Sequence, residues 1–276
     1  MILADAHVHI YDCFDLGRYL EAAYSNFRSE AIRLGHADNF TPILLLAETA
    51  KDYWFDRLRG FAEGINLHRN DVIQKWKFHH TGESVSILAS SGSSKGLIII
   101  AGSQVETEEG LEVLALCTAE RFRSGIPLTN LTKEVNKHGA IPVIPWGFGK
   151  WLGRRGKILN NFLKTQKDSM IFLGDNSGRP SFLLFPHHFK AAKRNGINIL
   201  PGSDPLPFAS EYGRVGSFGF LLEEKISETY PAENLKQILM KSKLKPKSYG
   251  NFENPFRFFR NQLRMQIKKQ YSKYKA

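Results

Sequence analysis

A parallel α/β barrel is the fold class this sequence predicts, on three observations. Apolar runs of strand length recur along the chain, at residues 2–10, 43–47, 97–101, 111–117, 140–146 and 170–173. Helical periodicity fills several of the intervals between them, and polar side chains stand where strands end: Glu48, Glu106, Asp175, Asn176 and Asp204. Continuous apolar character is expected of parallel strands covered on both faces. A rhythm of strand, polar residue and helix is the mark of barrels that collect ligands at the carboxyl edge.

Each element has its own warrant. Residues 16–34 place Leu20, Ala23, Phe27, Ala31 and Leu34 at the spacing of one buried helical face, and Gly35 ends it. A second helix, 52–65, carries Trp54, Phe55 and Phe61 as anchors. Three β segments follow, at 72–79, 83–89 and 97–101, with a serine-rich turn at 90–94. Leu128 to His138 reads as a helix leading into the strand at 140–147, and a further helix at 186–195 precedes Ile197 and the run to Asp204. No internal repeat is present, and 276 residues suffice for one large domain over 1–240 with a helical extension over 241–276.

Composition excludes several classes. With 42% hydrophobic and 24% charged residues the chain is an ordinary globular one. Its longest apolar runs are far short of a bilayer span, and the first residues lack a signal-peptide pattern, which gives a cytoplasmic expectation. The two cysteines, Cys13 and Cys117, form no metal or redox spacing and are read as reduced, with Cys117 in the core. The net charge of +11 belongs to the tail: residues 241–276 hold eleven basic residues against Glu253, leaving 27 basic and 26 acidic residues in the rest.

The first strand contains His7 and His9. Alternation along a strand brings both imidazoles to one face and turns Ala6, Val8 and Ile10 to the other. Two nitrogen donors on a rigid element suit a divalent ion that takes carboxylates from elsewhere, and Glu106 and Asp204 are the acids best placed to join them. Glu48, Asp15 and Asn176 are further candidates. Taken alone, each acid is equally readable as a helix N-cap.

On these residues the chain resembles the PHP family, named for polymerase and histidinol phosphatase, over most of residues 1–210. The matching motifs are Asp5-Ala6-His7-Val8-His9, the stretch from Ala101 through Gly102, Glu106 and Gly110, and Gly202-Ser203-Asp204. The resemblance implies a distorted seven-stranded β/α barrel and a metal-dependent phosphoesterase. It also implies His7, His9, Glu106 and Asp204 as ligands of one or two divalent ions, zinc, manganese or iron. Asp204 and Glu106 would be catalytic, with Asp204 orienting or deprotonating the attacking water. Trp146 and Leu206 stand where the family usually has histidines, and Ala47-Glu48-Thr49 replaces a Thr-Asp-His element, so a three-metal centre is not expected. An amidohydrolase-type barrel, and a barrel that has lost catalysis and serves as a binding module, are the alternatives.

A glycine-rich basic stretch, 147–157, offers Lys150, Arg154, Arg155 and Lys157 for an anion, and Arg179 follows the next strand. A phosphorylated small molecule or nucleotide is the substrate class this suggests, with Lys150, Arg154 and Arg179 as its contacts. His187 and His188 are read as surface residues, and of His79 and His80 at most one can reach a site. In the tail, Asn254-Pro255 opens an amphipathic helix on which Phe256, Phe259, Leu263, Ile267, Tyr271 and Tyr274 recur every three or four residues. Phe256, Phe259 and Leu263 are expected to pack on the barrel. The positive face, with no acid on it, suits an anionic partner: nucleic acid, an acidic protein or a membrane surface.

Overall fold

The computed structural model describes residues 1–37, 39–65, 75–92, 95–166, 170–183, 186–241 and 245–274. The chain runs β1 (Ile2–Val8), α1 (Leu16–Arg33), β2 (Thr41–Leu46), α2 (Trp54–Ala62), β3 (Lys77–His80), β4 (Ser86–Ser91), β5 (Lys95–Ile100), β6 (Gly102–Glu106) and β7 (Glu112–Leu116). It continues through α3 (Leu128–Lys137), β8 (Ile141–Pro145), α4 (Gly153–Thr165), β9 (Phe172–Asn176), α5 (His187–Arg194) and β10 (Ile199–Gly202). A 3₁₀ segment (Ala209–Arg214), β11 (Phe218–Leu222), α6 (Pro231–Met240), β12 (Lys247–Gly250) and α7 (Pro255–Tyr274) complete it. Parts of the expected strand at 72–79 and turn at 90–94 lie outside the described residues, as do the side chains of Tyr271, Lys273 and Tyr274.

The strands form two sheets, not the seven-stranded barrel that the sequence and its family resemblance predict. One has seven strands in the order β12-β11-β1-β2-β5-β4-β3, the other five in the order β10-β9-β8-β7-β6, and neither closes on itself. The reason lies in edge saturation. A strand has two hydrogen-bonding edges. β1 spends its pair on β2 and β11, and β2 spends its pair on β1 and β5, so β10 and β6 cannot add ladders where they approach. What remains is a single parallel bridge between Glu48 and Ser103 at one seam, and at the other the Asp204 N–H donating to the His7 carbonyl over 2.8 Å.

Three apolar clusters follow from the two sheets. Leu3, Leu44, Leu46 and Ile99 pack on the outer side against Leu20, Phe27 and Phe55 of α1 and α2. Ile2, Ala4, Ile43 and Leu45 meet Leu114, Val143, Phe172 and Leu200 between the sheets, with Leu235 and Ile238 of α6 joining that cluster. On the far side Val113, Ile144 and Leu173 pack against Leu131, Leu159 and Phe189 of α3, α4 and α5. The result is a mixed α/β fold of two sheets that share an apolar interior and carry helices on their other faces.

Both seams are too tight for a side chain. A Cβ on Gly202 would lie 2.2 Å from the His7 nitrogen, and one on Gly102 would lie 2.3 Å from the Leu46 carbonyl oxygen. Glycine is required at each because backbone meets backbone there. No helix among the described residues is long and apolar enough to cross a membrane.

Candidate metal centre

Simple alternation does not describe β1. Asp5 pairs with Leu44 but Val8 with Leu46, so an extra residue is inserted between them. Ala6 keeps the alternation of Ile2 and Ala4 between the sheets, while the inserted residue sends Val8 and Ile10 to the outer cluster. The bulge turns His7 and His9 toward the inter-sheet end, which is how bulges re-aim functional side chains.

Asp5 fixes this geometry. Its carboxylate is fully buried and accepts the N–H groups of Ser203 at 2.7 Å, Gly216 at 2.8 Å and His7 at 3.3 Å. Burial pushes its pKa up to about 6, against the downward pull of those donors. Asp5 thus ties β1 to the ends of β10 and β11 and is a positioning residue, a role its place two residues before His7 did not disclose.

Three ligand atoms converge. The His7 and His9 Nε2 atoms are 3.1 Å apart, and Asp204 Oδ1 lies 3.6 Å from the first and 3.7 Å from the second. Among the described residues, His7, His9 and Asp204 are the group of His, Cys, Asp or Glu side chains that could hold an ion. Ligands about 2.0–2.1 Å from a tetrahedral ion stand about 3.3 Å from one another, close to the edges of this triangle. Two imidazoles and one carboxylate also match the three-ligand pattern of catalytic zinc sites, which keep a position open.

The electrostatics agree. Burial first, and the neighbouring His7 second, push the His9 pKa down to about 4, so that ring is neutral at pH 7 as a ligand must be. The two Nε2 atoms face each other at 3.1 Å, a gap closed either by a ring N–H on one of them or by a cation between them. His9 Nδ1 is buried without a hydrogen-bond partner, and its ring is held instead by stacking on Tyr11, with centroids 5.5 Å apart. Burial and the nearby Asp204 raise the Tyr11 pKa, keeping the phenol neutral.

Asp204 is held in a strained backbone. Its φ of 47° lies in the left-handed region, which costs a non-glycine residue about 1–3 kcal/mol. Asn176 Nδ2 donates to its Oδ2 over 2.9 Å and to the Trp146 carbonyl over 2.9 Å, so Asn176 orients the carboxylate. Gln104 is the group that sequence reading passed over: its Oε1 stands 3.0 Å from His7 Nε2. It lies two residues before Glu106 on the same face of β6, and that i, i+2 relation was the available signal. Glu106 itself stands exposed at the strand end, outside the convergent group.

Other predicted residues have other commitments. Glu48 is buried and accepts the Phe55 N–H at 2.7 Å and Arg121 NH2 at 2.9 Å, serving the start of α2, while Asp15 caps α1 through the Arg18 N–H. Arg179 is 1% exposed and clamps Asp175 with Nε at 2.8 Å and NH2 at 2.7 Å, its guanidinium 3.8 Å from the Phe252 ring centroid. That ion pair is part of the fold and is not presented to a ligand. Lys150 pairs with Glu112, whose charge reaches His9, so one cation stands at the rim. The stretch 147–157 is not one open loop, because α4 begins at Gly153, leaving Arg154 exposed on its first turn. The Trp146 side chain packs in the far-side cluster with Trp151 and Phe189. His188 is buried, not on the surface: its Nε2 is 3.1 Å from the Gly156 carbonyl oxygen and its ring meets Trp151 edge-on. His79 and His80 lie on the exposed edge strand β3.

No family model matches the chain, and no curated protein matches it. Among solved structures, the chain is similar to PsfC from Pseudomonas syringae PB-5123, with a TM-score of 0.55 and 14% identity over 97% of each chain, a likeness of fold. The lesion-specific endonuclease PfuEndoQ from Pyrococcus furiosus aligns at a TM-score of 0.45 and 15% identity, over 90% of this chain and 58% of that one. An endonuclease Q complex with a 27-mer duplex bearing an abasic lesion at the active site aligns at 0.40 and 12%, over 88% and 57%.

Proposed function

We propose that this protein is a metal-dependent hydrolase acting on phosphate esters, with His7, His9 and Asp204 holding a divalent ion. The observation that carries the reading is the convergence of two Nε2 atoms and one carboxylate oxygen within 3.7 Å of one another at the mouth between the sheets. A bound ion supplies Lewis acidity, polarising a phosphoryl oxygen and activating water. The chain's own residues do the rest. Asp5 and the bulge fix the imidazoles, Asn176 aims the Asp204 carboxylate, and Gln104 presents a polar group beside His7 for the substrate or its water. Lys150 at the rim meets the negative charge of the phosphate. The sequence resemblance to the PHP family supports the phosphoester as substrate class. The test is a panel of phosphomonoesters, phosphodiesters and amides assayed with Mn²⁺, Zn²⁺ and Mg²⁺. Metal-dependent phosphoester cleavage that falls at least a hundredfold in His9→Ala is the expected result, and cleavage of amides alone would overturn the proposal.

A further inference from the structure

The C-terminal helix does not pack as its aromatic pattern predicts. Among its described side chains it buries Phe258 and Asn261, while Phe256, Phe259, Leu263 and Ile267 are 80%, 61%, 63% and 44% exposed. A polar network explains the choice. Asn261 Nδ2 donates to Glu253 Oε1 over 2.9 Å, Arg257 NH2 to Glu211 over 3.0 Å, and Arg214 NH1 bridges Glu211 and Glu253. Further along, Arg264 lies 3.9 Å from the Phe208 ring centroid and the Lys268 amine donates to the Pro207 carbonyl over 2.9 Å. These contacts turn several of the cations toward the body and the apolar stripe away from it.

The stripe continues onto the body. Phe182 stacks on Phe259 with centroids 6.4 Å apart, and Phe148 meets Phe258 at 5.0 Å. Phe148, Leu152, Phe182 and Leu183 are themselves exposed, and among them opens an apolar cleft of about 470 Å³ backed by Trp146 and Trp151. Exposed basic residues accompany this patch in the chain: Arg154 and Lys157 at the start of α4, just after Leu152, and Arg260 next to Phe259 on α7. Residues 254–276 carry seven basic residues and no acid.

We infer that this patch docks on an anionic lipid bilayer, with Phe256, Phe259, Leu263 and Ile267 entering the interface and Arg154, Lys157 and Arg260 meeting lipid phosphates. An exposed row of aromatic and aliphatic side chains flanked by cations is what an interfacial helix requires. A second copy of the chain fits poorly, because two such helices would bring like charges together. A nucleic-acid backbone would leave the exposed Phe256, Phe259 and Leu263 against phosphates with no apolar partner. The apolar cleft gives room for part of an acyl chain. The test of this docking requires no catalysis.

The experiment uses the full-length protein in cosedimentation with vesicles of phosphatidylcholine alone or with 30% phosphatidylserine, at low and high salt. Parallel arms measure single- and double-stranded DNA binding by fluorescence anisotropy and oligomeric state by light scattering. At least tenfold greater partition onto the anionic vesicles is expected. Phe259→Glu with Leu263→Glu should reduce it at least tenfold with unchanged melting temperature, and Arg260→Glu should reduce it severalfold. Equal partition onto neutral vesicles, wild-type binding by the double variant, DNA binding without vesicle binding, or a dimer that the double variant dissolves in the absence of vesicle binding would each overturn the inference.

Discussion

The two seams between the sheets are built alike and end differently. At β1 and β10, Gly202 lets the backbones touch; at β2 and β6, Gly102 does the same. Each seam carries a buried carboxylate nearby, Asp5 at the first and Glu48 at the second. At the second seam the carboxylate is spoken for, since Glu48 takes the Phe55 N–H and Arg121. At the first, Asp5 satisfies the backbone, and His7, His9 and Asp204 are left facing one another at 3.1–3.7 Å. An acid at a strand end therefore says little by itself. Unsatisfied convergence is what separates a site from a brace.

Glycine substitutions give the largest expected effect. Gly202→Ala and Gly102→Ala should each destabilise the protein by about 3 kcal/mol or more, because the added carbon meets main-chain atoms that cannot yield. Chemical denaturation measures both. Where folded protein remains, only Gly202→Ala should weaken metal binding; equal loss in both variants would mean the seams are not functionally distinct. Asp5→Asn comes next. It places an amide donor opposite backbone N–H groups, and a buried N–H left unpaired costs about 1–3 kcal/mol. Loss of stability together with at least a tenfold weaker metal affinity is expected, and an unchanged affinity would show that Asp5 braces the fold without positioning the histidines.

Glu48→Gln sharpens the contrast from the other side. It keeps an acceptor for the Phe55 N–H and removes the Arg121 ion pair, so about 1 kcal/mol of stability should be lost with metal binding intact. Weakened metal binding would put Glu48 among the ligands. The smallest effect concerns the thiols. Cys117 is buried beside the Gly102 seam, where the Thr118 N–H donates to the Ala101 carbonyl, and burial pushes its pKa up to about 12. Cys13 is exposed. Thiol titration of the native protein should therefore modify one cysteine quickly and the second only on unfolding, and fast reaction of both would mean that this seam opens readily.

Much of this was legible from residue order. Many of the strands and helices as far as β10 fall where apolar runs and periodicity put them, whereas β6, α4, β11, α6 and β12 went unread, and His7, His9 and Asp204 were named from spacing and motif. The sheet topology was not, because whether β10 closes onto β1 depends on which edges β2 and β11 have already occupied, a property of the assembled sheet. The bulge between Asp5 and Val8 was equally hidden, since alternation assumes a regular strand. Arg179 and Lys150 read as free cations because sequence does not show that Asp175 and Glu112 would claim them. In α7 the apolar spacing was correct but its direction was not, for the polar network around Glu253 decides which face is buried.

An ion held by His7, His9 and Asp204 is what the convergent site is built for. Titration of the full-length protein with Zn²⁺ or Mn²⁺, followed by calorimetry and thermal unfolding, tests it directly. Binding to the native state alone should raise stability by about 2.7 kcal/mol when the free metal is a hundred times its dissociation constant. That gain should disappear in His9→Ala and Asp204→Asn and persist in Glu48→Gln. Absence of stabilisation by either ion, or equal stabilisation in all four proteins, would contradict the account.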